Sequence, residues 1–184
     1  MSNDANVAAL GEAKFGAGKD YGSCLMVALG TGVGGGIIID GKLMEGCMSA
    51  GAEIGHMVIC EGGALCTCGR HGCLEAYASA TALIRLTKWK MELDCSTKMW
   101  EIAGGKLENV DGKTAFLAAR AGDMRGKEVV DEYVEHLAVG LANLANVLRP
   151  EAILLGGGVS NEGEYLFAPL RTAVEKKLYT SVEF

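Results

Sequence analysis

Hydrophobic and polar positions divide the chain into a short series of elements. Asn3-Asp4-Ala5-Asn6-Val7-Ala8-Ala9-Leu10 reads as a capped helix start, with small apolar residues continuing to about Phe15 and Gly16-Ala17-Gly18 ending it. Two apolar, β-leaning runs follow, Cys24 to Leu29 and Val33 to Ile39, on either side of a glycine turn. Asp40-Gly41 is then a two-residue hairpin signal into Lys42-Leu43-Met44, so the three runs predict a meander. Residues 45–72 show little periodicity and much glycine, too long for an idle loop in a compact domain unless it is functional or stapled by a metal. Helical periodicity resumes at Cys73 and runs to about Glu92, with a break near Ser79. It returns over residues 98–103 and 114–121, and again, strongly amphipathic, over roughly 126–148, where Pro150 stops it. Ala152-Ile153-Leu154-Leu155 is a short buried strand delivering Gly156-Gly157-Gly158, and residues 162–177 predict a final helix. No internal repeat or low-complexity linker interrupts this order.

At 184 residues the pattern fits one domain with a respectable core. Apolar residues make up 49%, and 27 glycines against 2 prolines place the tight backbone work in glycine loops, which suits an α/β domain with ligand-binding turns. Seventeen basic against 23 acidic residues give a net charge of −6, and neither a Lys/Arg cluster nor an aromatic-basic stripe relieves it. That balance argues against nucleic acid or an anionic membrane as a partner of this segment. The apolar, uncharged run Cys24 to Ile39 falls short of a bilayer span and contains five glycines, and the N-terminus has no signal-peptide pattern. A soluble, cytoplasmic protein is the expectation.

Cysteine usage sharpens the picture. There are seven, an odd number, and three of them crowd into residues 66–73, which fits metal binding in a reducing compartment better than a disulfide framework. His56-x9-Cys66-x-Cys68-x4-Cys73 offers three thiolates and an imidazole, the set that closes a tetrahedral zinc site with no open position. Reduced thiols without a metal are the plainer alternative, since the spacing is tighter than the common C-x-x-C. Cys60 and His71 are rival ligands, although His71 is expected to face solvent. Cys24, Cys47, Cys60 and Cys95 are expected to be buried or half-buried thiols.

Three further features carry chemistry. Gly30-Thr31-Gly32-Val33-Gly34-Gly35 contains G-x-G-x-x-G, but Ile37-Ile38-Ile39 follows where a dinucleotide-binding fold would place a helix. A glycine turn between strands can instead lay N–H groups and the Thr31 hydroxyl around phosphate oxygens, or it is simply a glycine-rich hairpin. Asn3-Asp4 at a helix start puts a carboxylate where the helix dipole favours its ionised form, poised to accept a proton, yet Asn and Asp are also ordinary caps. Glu53 and Glu75 flank the cysteine-rich loop and can accept hydrogen bonds from sugar hydroxyls, or stay solvated.

Together these elements resemble the ROK family of bacterial sugar kinases and sugar-responsive repressors. The resemblance rests on Asn3-Asp4-Ala5-Asn6, Leu29-Gly30-Thr31-Gly32-Val33-Gly34-Gly35-Gly36, Gly51-Ala52-Glu53-Ile54-Gly55-His56-Met57, Cys66-Thr67-Cys68-Gly69-Arg70-His71-Gly72-Cys73-Leu74-Glu75 and Leu155-Gly156-Gly157-Gly158-Val159, in the family's order. It implies the larger lobe of the actin-like ATPase (hexokinase/ribonuclease H-like) α/β fold, with a zinc-stapled loop. It also implies that Asp4 is the general base toward the 6-hydroxyl of a hexose attacking the γ-phosphate of ATP. Asn3, Asp4, Glu53, His56 and Glu75 would contact the sugar; Gly30, Thr31 and Gly32 the phosphates; Gly156, Gly157 and Gly158 the adenosine. His56, Cys66, Cys68 and Cys73 would hold a structural zinc, and ATP would act with Mg2+.

The same resemblance implies that residues 1–184 form the larger C-terminal lobe alone, with the N-terminal lobe and the family's closing segment absent, so that the isolated chain would turn over poorly. Glucose is the expected hexose, because the zinc-loop segment is most similar to glucokinases of the family, and a homodimer is the expected assembly. The competing readings are the sugar-sensing lobe of a ROK-type repressor and a zinc-stabilised binding module without catalysis.

Overall fold

The computed structural model describes residues 4–180, with side chains from Asn6 onward. Asp4–Phe15 form α1, whose end is closed by the Glu12 carbonyl and carboxylate, which accept the amides of Gly16 and Ala17. The meander follows as β1 (Cys24–Leu29), β2 (Val33–Ile39) and β3 (Lys42–Leu43), each strand antiparallel to the next. β4 (Ala152–Gly156) then inserts beside β1 in parallel, giving the sheet order β3-β2-β1-β4. Sequence periodicity predicts all four strands but not that long-range pairing.

β1 is apolar throughout because both its faces are covered. Leu25, Val27 and Leu29 are fully buried and join one core with Tyr133, Leu137 and Leu141 of α6 (Met124–Leu148) and Leu166 and Leu170 of α7 (Glu164–Glu175). Burial of each such side chain stabilises the fold by about 1.5–3 kcal/mol relative to exposure. α1 packs on β2 and β1, while α6 is the hub for α2 (Glu75–Ala78), α3 (Ala80–Leu93), α5 (Thr114–Arg120) and α7. Tyr133 on α6 donates its hydroxyl to the Ala78 carbonyl at 2.8 Å, which anchors the short α2 from below.

Helix boundaries follow local capping. The break expected near Ser79 is present: Ser79 takes an extended conformation and its side chain caps α3 by accepting the Ala82 amide. The helix expected from Cys73 begins two residues later, at Glu75, because Cys73 is held by a bridge to Val58. α6 starts at Met124 rather than near Gly126, since Asp123 caps it by accepting the Gly126 amide at 2.7 Å. Asp123 also accepts from Thr97 Oγ1 and the Lys98 amide at the start of α4 (Lys98–Ile102), so one carboxylate caps two helices. The helix expected over 162–177 is divided into a 3-10 turn, Gly158–Glu162, and α7. Among the described residues no helix is long and apolar enough to cross a membrane.

Candidate functional site

The segment between β3 and α2 is held by 3-10 turns at Cys47–Ser49 and Ile54–His56 and by two isolated bridges, Val58 to Cys73 and Leu65 to His71. The bridges fold 56–74 back on itself, with the Leu74 amide donating to Met57 O and the Cys66 amide to Arg70 O, both at 2.8 Å. That folding brings one donor atom from each of His56, Cys66, Cys68 and Cys73 within 4.8 Å of one another. Cys68 Sγ and Cys73 Sγ are 3.7 Å apart, and Cys66 Sγ and His56 Nδ1 are 3.6 Å apart. A tetrahedral zinc with ordinary bond lengths requires about 3.8 Å between two sulfurs and about 3.6 Å between sulfur and nitrogen, so the donor set fits that ion.

Electrostatics show what a cation at the centre would have to offset. Burial, with the Cys68 and Cys66 sulfurs alongside, pushes the Cys73 thiol up to about 11. The Cys68 thiol, by contrast, is lowered, chiefly by a hydrogen bond from the Arg70 backbone. Three sulfurs this close are all thiolate only when a cation offsets their repulsion. Cys60 and His71 lie outside the cluster: Cys60 is exposed, and the exposed His71 places Nδ1 3.0 Å from the Gly63 carbonyl. Of the other cysteines only Cys24 is buried; Cys47, Cys60 and Cys95 are exposed, because each sits in a turn rather than on a core-facing strand or helix.

Glu75, the first residue of α2, connects this cluster to the glycine turn. Its Oε2 accepts the Val33 amide at 3.1 Å, and its Oε1 accepts the Thr67 hydroxyl at 2.6 Å and lies 3.6 Å from Cys66 Sγ. Burial opposes ionisation of Glu75, but the hydrogen bonds from Thr67 and the Val33 amide, with His56 nearby, hold its carboxyl below the usual carboxylate range. Gly32 makes the approach possible: a Cβ there would overlap the Glu75 carboxylate. Glu53 is exposed and immediately precedes the Ile54–His56 turn that carries the histidine.

The Gly30-Thr31-Gly32 turn leaves β1 with its first two carbonyls aimed at the start of α3, while the Gly32 carbonyl accepts the Gly30 amide at 3.1 Å. Gly30 O accepts the Ala80 amide and Thr31 O accepts the Thr81 hydroxyl, each at 2.8 Å. In a planar trans peptide the carbonyl and the following N–H point in opposite directions, so the Thr31 and Gly32 amides face away from α3. The second turn, Gly156-Gly157-Gly158, leaves β4 at the same end of the sheet, since β1 and β4 are parallel and Ala28 pairs with Gly156. Gly157 has φ +87°, and a Cβ on it would overlap the Leu29 carbonyl, so the second turn packs against the end of β1 from which the first departs. Carboxyl ends of adjacent parallel strands are the usual ligand edge of an α/β sheet. A cavity of about 600 Å³ along β4 and α7 shares only Gly156 with the predicted site residues.

Asn3 lies outside the described residues, as does the Asp4 side chain; the Asp4 backbone opens α1. Sequence reading missed Thr67, Arg70 and Thr81. Thr67 sits between Cys66 and Cys68 and binds Glu75, Arg70 Nη1 donates to the His56 carbonyl at 3.4 Å, and Thr81 orients the first glycine turn. Only Thr67 carried a signal, through its place in the C-x-C.

Comparisons with known proteins follow the same lines. The chain is 42% identical to a glucokinase of Thermotoga maritima over 95% of its own length and 55% of that protein. It is 31% identical to a xylose repressor of Caldicellulosiruptor bescii over 97% of its length and 44% of that protein. A ROK family glucokinase from Streptomyces griseus, solved with glucose and AMPPNP, superposes with a TM-score of 0.92 at 39% identity, covering 98% of this chain and 59% of that one. The chain thus spans about half the length of the curated relatives it matches, and its α/β sheet and helices are those of the actin-like ATPase fold found in ROK glucokinases. The ROK family model matches residues 1–183, and the chain belongs to the ROK family.

Proposed function

We propose that this chain supplies the sugar pocket, the catalytic carboxylate and part of the nucleotide site of an ATP-dependent hexose kinase, forming glucose 6-phosphate from glucose. The observation that carries this reading is the Glu75 carboxylate, which joins the His/Cys cluster to the turn at the shared end of β1 and β4. Similarity to the glucokinase relatives supports the choice of reaction and of glucose.

In this reading Asp4, at the start of α1, takes the proton from the sugar 6-hydroxyl as that oxygen bonds to the γ-phosphorus and ADP leaves. Asn3, Glu53, His56 and Glu75 hold the remaining hydroxyls and so fix the line of attack. The Thr31 and Gly32 amides receive phosphate oxygens of ATP, which enters with Mg2+, and Gly156-Gly157-Gly158 approach the adenosine. A zinc ion held by His56 Nδ1, Cys66, Cys68 and Cys73 would supply a rigid staple, leaving His56 Nε2 for the sugar. The parent protein is read as cytoplasmic, with this chain as its larger lobe and a homodimer formed through it.

Titration calorimetry with glucose, run beside a coupled assay, tests the proposal. Glucose binding that Glu75→Gln and Cys66→Ser weaken is expected, with poor turnover by this chain alone; brisk ATP-dependent turnover by it would overturn the reading of one lobe of two. Similarity to the xylose repressor supports a second reading as a sugar-sensing lobe. In the parent protein Asp4→Asn separates the two: a kinase loses turnover, whereas a sensor has none to lose.

A further inference from the structure

Beside the second glycine turn lies a group of side chains that the reaction as described does not use. Arg120, the last residue of α5, reaches Glu162, the last residue of the Gly158–Glu162 turn. Its Nη1 pairs with Glu162 Oε2 at 2.6 Å, its Nη2 donates to the Glu162 carbonyl at 3.1 Å, and its guanidinium lies 4.7 Å over the ring of Tyr165 in the first turn of α7. Phe116 meets the Tyr165 ring edge-on at 6.2 Å from the other part of α5. The Glu162 side chain is 6% exposed, whereas that of Arg120 is 37% exposed.

The arrangement fixes a flat cation in one orientation. A free arginine loses rotamer freedom whenever it binds, but here two hydrogen bonds and a ring have already removed it. The buried Glu162 carboxylate offsets the charge, so the guanidinium is a poor ligand for phosphate. What it still offers is a weakly hydrated plane that lies over Tyr165 on a side chain still 37% exposed. A planar, neutral heterocycle is the partner such a plane stacks on best.

We propose that the Arg120 guanidinium, laid on Tyr165 and clamped by Glu162, is the platform on which the purine base of the nucleotide stacks. The inference rests on the reading of the two glycine turns as a nucleotide site. The turn that would approach the adenosine and the residue that clamps the platform belong to one continuous segment, Gly157 to Glu162. Ser160 stiffens that segment by donating its amide and its hydroxyl to the Gly157 carbonyl. Arg120 is thus a binding residue for the base, and Glu162 a positioning residue.

Titration calorimetry with ATP and with inorganic tripolyphosphate, each with Mg2+, tests this in the wild-type chain, Arg120→Ala and Arg120→Lys. ATP is expected to bind the wild type more tightly than tripolyphosphate does. Both variants are expected to lose about tenfold in ATP affinity, the scale of one stacking contact, with tripolyphosphate affinity unchanged and folding confirmed by circular dichroism. Lysine keeps the charge but not the plane, so an Arg120→Lys variant that binds ATP like the wild type overturns the proposal. Parallel loss of tripolyphosphate affinity overturns it as well, by showing a phosphate contact. Wild-type chain that binds both probes equally overturns the base platform alone; wild-type chain that binds neither overturns the nucleotide reading beneath it.

Discussion

Glu75 and Val33 are joined by a 3.1 Å hydrogen bond from the first residue of β2 to the first residue of α2, while the other Glu75 oxygen is held by Thr67 within the cysteine loop. One carboxylate therefore sets the distance between the cluster and the glycine turn. Replacing it with Gln keeps the shape and removes the charge. Charged hydrogen bonds contribute about 1.5–3 kcal/mol, so E75Q is expected to weaken glucose binding about 10- to 100-fold in calorimetry, with a small change in thermal stability. Unchanged affinity would remove Glu75 from the pocket.

Gly32→Ala tests the same contact from the opposite side. The new Cβ overlaps the tip of a flexible side chain rather than backbone, so unfolding is expected to shift by less than about 1 kcal/mol while Glu75 is displaced. Glucose affinity should fall as in E75Q, and the double variant should be no worse than either single one. Additive losses would show two independent effects.

Purified protein is expected to carry one equivalent of zinc by elemental analysis, and Cys73→Ser, at a fully buried ligand position, to lose it. Structural zinc contributes folding free energy directly. A strong chelator should therefore lower the unfolding temperature of the wild type and leave that of Cys73→Ser unmoved. Stoichiometric zinc in the variant would contradict the ligand assignment.

Asp123 predicts an acid-sensitive step. Burial opposes its ionisation, but the amides of Lys98 and Gly126 and the Thr97 hydroxyl hold its carboxyl below the usual range. A carboxyl lowered in the folded state stabilises the protein fully above its unfolded value of about 3.9, and that stabilisation is lost as pH falls through the folded value. Urea unfolding across pH 7 to 2.5 should show it. Asp123→Ala is expected to cost about 1–2 kcal/mol at pH 7, as cap removal does, and to flatten the decline below pH 4. Asp123→Asn should recover part of the loss at neutral pH.

Much of this was legible in the sequence because the signals are local. The hairpin at Asp40-Gly41, the break at Ser79 and the crowding of Cys66, Cys68 and Cys73 each follow from a few adjacent residues. Pairs distant in the chain were not legible. Nothing in the alternation of β1 says that Leu25 lies beside Ile153, nor does the composition of α5 say that Arg120 ends at Glu162. The expectation that Cys47, Cys60 and Cys95 are buried or half-buried follows from how thiols usually sit, whereas turn position decides their exposure.

The parallel pairing of β1 with β4 also bears on when the site comes into existence. Cys24 and Ala152 meet only after nearly every other element has been made, and closing so long a loop is entropically costly and slow. The meander and the α5–α6 hairpin can form early from local contacts, but the edge that carries both glycine turns cannot. During synthesis the chain would pass through a stage in which its cysteine loop is already complete and the shared end of β1 and β4 does not yet exist.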